Sequence, residues 1–198
     1  MNYGELRTTL AAWSKRSDLT TVLPSIVELA QERLNNDLRL AGMVTSANLT
    51  TTAGNEAVAQ PAGWLVGQSL DIEGAPIEYR TPEELRGTYP AAYSGRPAVY
   101  TIEGSSIIFG PKPDSTYTIR ARYYQKLLPF SLDASTDFVL TNYPSIYLAA
   151  GMVEIAAYTV DPAMAMFWEP RYQAAVRNAN ETGGSAGAAG TTLRMRAR

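Results

Sequence analysis

Two adjacent carboxylates, Glu83 and Glu84, are the nearest approach to an acid–base pair in this sequence. Neighbouring helical residues point in different directions, so the pair reads as a solvated face rather than a catalytic dyad. Gly104-Ser105-Ser106 offers hydroxyls, but the chain contains no histidine to act as their base, and a turn explains the triplet better. The chain contains no cysteine either. Thiol nucleophiles, disulfides, cysteine zinc sites and histidine metal ligands are all excluded together. Asp133, Asp137 and Asp161 lack the short spacing of a calcium loop, and Gly63 to Gly67 lacks the lysine of a phosphate loop. The expectation is a protein with no catalytic residue, no cofactor and no metal.

What remains is the chemistry of association. Arg120 and Arg122 share one strand face, suited to surface or interface ion pairs. Tyrosine is abundant, at 12 of 198 residues, and Tyr79, Tyr89, Tyr93, Tyr100, Tyr117, Tyr123 and Tyr124 gather in the middle of the chain. Amphipathic rings add contact area at low entropic cost, so this composition suits protein interfaces. With 17 Lys plus Arg against 19 Asp plus Glu and a net charge of -2, the surface is not built to hold nucleic acid tightly. Residues 182–198 are rich in glycine and tipped with Leu193, Arg194, Met195, Arg196 and Arg198, which predicts a flexible arm, either a plain disordered tail or one that orders on a partner or neighbouring subunit.

The elements that carry these residues follow from periodicity. Residues 143–160 hold Glu154 as their sole charge before the terminal Asp161-Pro162, with Ile146, Ala149, Ala150, Val153, Ala157 and Val160 at helical spacing, predicting a helix buried on nearly every side. Asn142 is its expected cap, Pro144 lies in its first turn, and a second helix follows with a kink near Trp168 caused by Pro170. At the other end, Leu6, Leu10 and Trp13 mark one face of a short helix. Leu23 to Leu40 mark a longer one, opened by Pro24 and capped from Ser17 or Asp18. Between them the period changes to 2. Residues 98–109 read as a hairpin turning at Gly104-Ser105, residues 115–124 as a half-buried strand, and residues 82–86 as a helical turn. The reading is an α+β fold. Residues 1–42 and 129–181 form a helical bundle, residues 43–128 an inserted antiparallel β subdomain, and residues 182–198 the arm. No run reaches the roughly 18 to 20 apolar residues of a membrane span, and the N-terminus does not read as a signal peptide, so the protein is expected to be made in the cytoplasm.

Two motifs carry a resemblance. Tyr143-Pro144 opens a Y-P-x-x-Y-L-x-A start to the long helix, and Trp168, Glu169, Arg171, Tyr172 and Gln173 form a W-E-x-R-Y-Q segment. With the opening YGELRTTLAAWSKR and the middle IRARYYQKLLPFS, the chain resembles the head-to-tail adaptor proteins of short-tailed bacteriophages, related to the tail tubular protein A type of portal adaptor. Pro170 departs from that pattern. The resemblance implies a virion structural protein of the tail neck, assembled in the host cytoplasm. It implies a dodecameric ring under the portal that lines a DNA channel without reading sequence and docks the tail nozzle and fibres. Leu193, Arg194, Met195, Arg196 and Arg198 are then expected at the portal or a neighbour. Tyr143, Tyr147, Trp168, Arg171 and Tyr172 are expected at a subunit interface or in the core, and Tyr89, Tyr93, Arg120 and Arg122 at the nozzle or fibre. The tyrosines of the β region also suit a carbohydrate-binding or fibre-attachment module. A cell-wall hydrolase would need an acid–base pair that the sequence lacks.

Overall fold

The computed structural model describes residues 1–90 and 92–188. Its helices are α1 (Tyr3–Ser14), α2 (Leu23–Asp37), α3 (Pro82–Thr88), α4 (Phe138–Asn142), α5 (Pro144–Tyr158) and α6 (Pro162–Ala188). Its strands are β1 (Val44–Thr50), β2 (Ala57–Ala59), β3 (Trp64–Ile72), β4 (Ala75–Tyr79), β5 (Ser94–Gly95), β6 (Val99–Glu103), β7 (Ser106–Gly110), β8 (Lys112–Pro113) and β9 (Thr118–Gln125). Two compact units result, one from Met1–Met43 with the chain beyond residue 125, the other from Val44–Gln125.

In the helical unit, α5 is central because small residues let its neighbours approach. At Gly151 an added Cβ would lie 2.7 Å from Leu10 Cδ2, so glycine is what admits α1 against this helix. Ile146, Tyr147, Ala149, Ala150, Met152, Val153, Ile155 and Ala156 are buried, but Ala157, Tyr158 and Val160 are exposed. The expected burial on nearly every side therefore fails at the last turn. Helix α1 starts with a capping box between Asn2 and Glu5 and buries Tyr3, Leu6, Leu10 and Ser14. Trp13 points away from that face and is exposed.

Several expected caps are replaced. Neither Ser17 nor Asp18 caps α2, whose N-cap is Val22; Asp18 is held instead by Arg16 through bonds of 3.0 and 2.6 Å. Helix α2 ends at Asp37, short of Leu40, because Asn180 of α6 donates to the Asp37 carbonyl and accepts from the Arg39 N–H, each at 2.9 Å. A side chain from another helix thus satisfies the frayed end. Asn142 does not cap α5. It ends α4, which Asp137 caps by accepting from the Leu140 N–H at 2.7 Å.

Helix α6 is continuous through Pro170. Proline withdraws from the ladder the N–H that would meet the Met166 carbonyl one turn back, while the Arg171 guanidinium separately folds back to donate to the Phe167 carbonyl at 2.9 Å. The same helix runs on to Ala188, so the flexible arm expected from residue 182 begins, in fact, as helix. Gly183 permits this, since an added Cβ would sit 3.1 Å from Leu40 Cδ2. The arm residues Leu193, Arg194, Met195, Arg196 and Arg198 lie outside the described residues.

The β unit is a seven-stranded sheet in the order β1-β9-β3-β4-β6-β7-β2, with β5 and β8 paired separately. Period 2 places Ile119, Ala121 and Tyr123 of β9 inward and Arg120 and Arg122 outward. Ile119 and Ala121 join Leu49, Leu70, Ile72, Ile77, Tyr100, Ile107 and Phe109 in one core, while Tyr123 stacks on Trp64 at 4.8 Å. The β6–β7 hairpin turns at Gly104, whose φ of 59° is left-handed. The sheet is not wholly antiparallel as expected: β4 pairs with β6, and β5 with β8, in parallel. Helix α3 crosses between β4 and β6, and such a crossover returns the chain in the same direction.

Candidate assembly surfaces

The largest apolar exposure in the helical unit lies where α5 turns into α6. Val160 is 85 % exposed and Met166 78 %, with Tyr158 and Phe167 also open to solvent. Asp161 makes the turn by accepting from the Met164 N–H at 3.0 Å, which starts α6 and aims these side chains outward. Trp168 is half-buried and contacts exposed Trp13 at 5.6 Å and Phe167 at 5.3 Å. Exposed Arg171 lays its guanidinium 3.4 Å over the Phe167 ring. Trp13, Phe167, Trp168 and Arg171 therefore form one amphipathic surface, of the composition that marks protein interfaces.

Tyr147 and Tyr172 are placed differently, with no measurable exposure. The Tyr147 hydroxyl donates to the Asp137 carboxylate and accepts from Gln31 Nε2 at 3.3 Å, while the same nitrogen donates to the Leu128 carbonyl at 2.9 Å. Burial raises the Asp137 carboxyl above its ordinary value, opposed by the Leu140 N–H and the Tyr147 hydroxyl, and burial beside Asp137 raises the tyrosine strongly. Tyr172 donates to Asp37 at 2.6 Å under the Arg33 guanidinium, which also binds Glu154 at 2.8 Å and Glu169 at 3.2 Å. Burial and the Asp37 carboxylate raise this tyrosine too. Both hydroxyls serve to satisfy a packed interior. Tyr143 is half-buried beside Phe138, with ring centroids 6.1 Å apart, immediately before α5.

In the β unit, Arg120 and Arg122 stand exposed on β9, neither in an ion pair among the described residues. Tyr93 is exposed and Tyr89 half-buried, their rings 5.8 Å apart. Among the described residues no cluster of three or more acidic side chains is placed to hold a metal ion, and no helix is long and apolar enough to cross a membrane.

The family model described as SU10 adaptor protein matches residues 1–196. The chain belongs to the SU10 adaptor protein family. No curated protein matches it. As a member of this family it is a structural phage protein of the virion neck, which associates with other head–tail proteins. For an adaptor, the informative residues are those that stay uncovered in the single chain. Periodicity places Trp13 and Val160 on buried faces and does not single out Met166 as surface. The signal available was local: Val160 stands directly before Asp161-Pro162, where a helix end leaves its side chains with no neighbouring turn to pack on.

Proposed function

We propose that this adaptor forms a ring, in the reading of the resemblance a dodecamer, between portal and tail. In this proposal the ring lines the DNA channel and docks the tail nozzle or fibres. The observation that carries the reading is the family match over residues 1–196. The exposed surface of Trp13, Val160, Met166, Phe167 and Trp168 supports it, because a ring buries against neighbours what a lone chain leaves wet. In the ring, Tyr143, Trp168 and Arg171 serve subunit contact, while Tyr147 and Tyr172 hold the helices that present them. Tyr89, Tyr93, Arg120 and Arg122 face the nozzle or fibre.

A channel that lets DNA pass must not grip phosphate. The net charge of -2 suits this, because a lining of cations would displace counterions from every turn of duplex, bind its phosphates and slow its movement. Residues 189–198 act as an assembly clamp toward a neighbour or the portal. An arm already tethered to the ring meets its site at high effective concentration. Deleting residues 189–198 tests this. The melting temperature should stay unchanged, while sedimentation with assembled portals should show weaker joining or incomplete rings. Joining and ring formation equal to those of the full chain would remove the arm from the mechanism.

A further inference from the structure

Strand β3 leaves part of one edge open. Its ladder to β9 runs from Trp64 to Ile72, whereas β4 covers only Leu70–Ile72 on the other side. Facing it, β6 pairs with β7 along its whole length, but β4 covers only Val99 and Tyr100. The chain leaves the sheet after Tyr79 and enters α3 at Pro82. The lane that a longer β4 would fill is therefore a groove of about 560 Å³ between the β3 edge at residues 65–69 and the β6 edge at Thr101–Glu103. Among the described residues, neither edge has a ladder partner on the groove side.

Open backbone edges on both walls select a peptide, since β6 presents N–H and C=O groups at strand spacing and β3 does so with bulges at Leu65 and Gln68. A sugar would need a free aromatic face. Trp64 gives one face to Tyr123 at 4.8 Å and Tyr100 is buried with Tyr79 edge-on at 5.6 Å, which leaves the exposed Tyr79 as the groove's open ring beside two unpaired backbone edges. The alternation of the walls specifies the side chains wanted. Tyr79, Tyr100 and Ile102 line the groove on one face, and Glu78 and Glu103 alternate with them onto the other. These carboxylates pair with Arg80 at 3.0 Å and Arg86 at 2.8 Å, but exposed pairs of this kind are weak and exchange partners readily.

The chain itself contains a matching segment. In residues 189–198, Leu193, Met195 and Ala197 alternate with Arg194, Arg196 and Arg198. The whole chain has a net charge of -2 although this segment holds three arginines and no acid, so the remainder is more acidic than the total. Leu193 to Ala197 as a strand spans about 17 Å, enough to run along the bulged β3 edge from residue 65 to residue 69. We propose that the groove between β3 and β6 receives residues 189–198 of a second copy as an added strand. Leu193 and Met195 then lie against Tyr79, Tyr100 and Ile102, and the arginines beside Glu78 and Glu103. The choice of a second copy rests on the ring reading above, and the proposal supplies the clamp with its receiving site.

The test places photoreactive benzoylphenylalanine at Val66, an exposed residue at the groove, in the full-length protein, alone and assembled on portals. After irradiation, cleavage at Glu181 releases residues 182–198 for mass spectrometry. The expected product joins two chains through residues 192–197, and E78Q with E103Q lowers its yield several-fold, with a larger loss at low salt. A crosslink within one chain, a crosslink to another segment, or no product from a sample that sediments as rings overturns the proposal and leaves the ring reading standing. If no rings form, the ring reading fails separately. A synthetic peptide of residues 189–198 then probes the groove directly, against the same composition with the alternation scrambled. Selective crosslinking to the alternating peptide supports the groove. Equal labelling by both peptides, or protection of position 66 by soluble polysaccharide alone, overturns it.

Discussion

Tyr147→Phe removes a single oxygen from a site with no solvent access, so its cost reads the polar network without disturbing the packing. The ring keeps its contact with Phe130 at 6.0 Å. Two bonds are lost. The long one, from Gln31 Nε2 at 3.3 Å, adds little because that nitrogen keeps the Leu128 carbonyl at 2.9 Å. The other leaves Asp137 with one fewer donor in a buried position, where a hydrogen bond to a charged group is worth about 1.5–3 kcal/mol. Asp137 still accepts from the Leu140 N–H at 2.7 Å, which places the expected loss near the middle of that range, about 2 kcal/mol. For a chain of this size that lowers the melting temperature by roughly 4–8 °C. The loss has a pH signature. The tyrosine hydroxyl stabilises the ionised carboxylate, so the variant should lose most near neutral pH and less in acid, where Asp137 is protonated. Scanning calorimetry at several pH values checks both. A shift below about 1 °C at neutral pH, against the expected range, or a loss as large in acid as at neutrality, would refute the reasoning.

Three further outcomes follow from the same structure. Val153→Asp places an unpaired carboxylate on a buried face of α5 at a cost of several kcal/mol, so soluble folded protein should be lost; an unchanged melting temperature would show that this face is open. Asp137→Asn keeps the capping oxygen but removes the titration. Because burial raises the native carboxyl above 3.8, wild type should lose stability relative to this variant as pH rises from about 3.8 through the native value. Melting curves of the pair that diverge in the opposite sense would contradict that sign. Met166→Ser with Phe167→Ser removes exposed apolar surface, so melting should hold while assembly on portals weakens; assembly at wild-type yield would mean this surface is not an interface.

Local pattern was legible wherever one residue's environment is set by its own element. The alternation of β9, the Gly104 turn and the helical turn at residues 82–86 all follow from neighbours within a few positions, whereas reading Glu84 as a solvated carboxylate missed its capping box with Thr81. Features decided across the chain were not legible. The end of α2 depends on Asn180, over a hundred residues away, and the length of α6 depends on Gly183 meeting Leu40. Period alone also cannot say which apolar residues find cover. Leu10 is covered because Gly151 admits it, whereas Val160 and Met166 point past the last helix that could reach them. The open edge of β3 was invisible for the same reason, since it exists only because β4 leaves the sheet at Tyr79.

Electron microscopy of the purified protein with and without its portal shows whether the copies close into a ring. Class averages should contain a closed ring of adaptor copies seated coaxially on the portal around an open central channel, and that ring should lose order when Met166 and Phe167 are changed to serine. Isolated copies bound at scattered sites on the portal, or no bound protein, would contradict ring assembly.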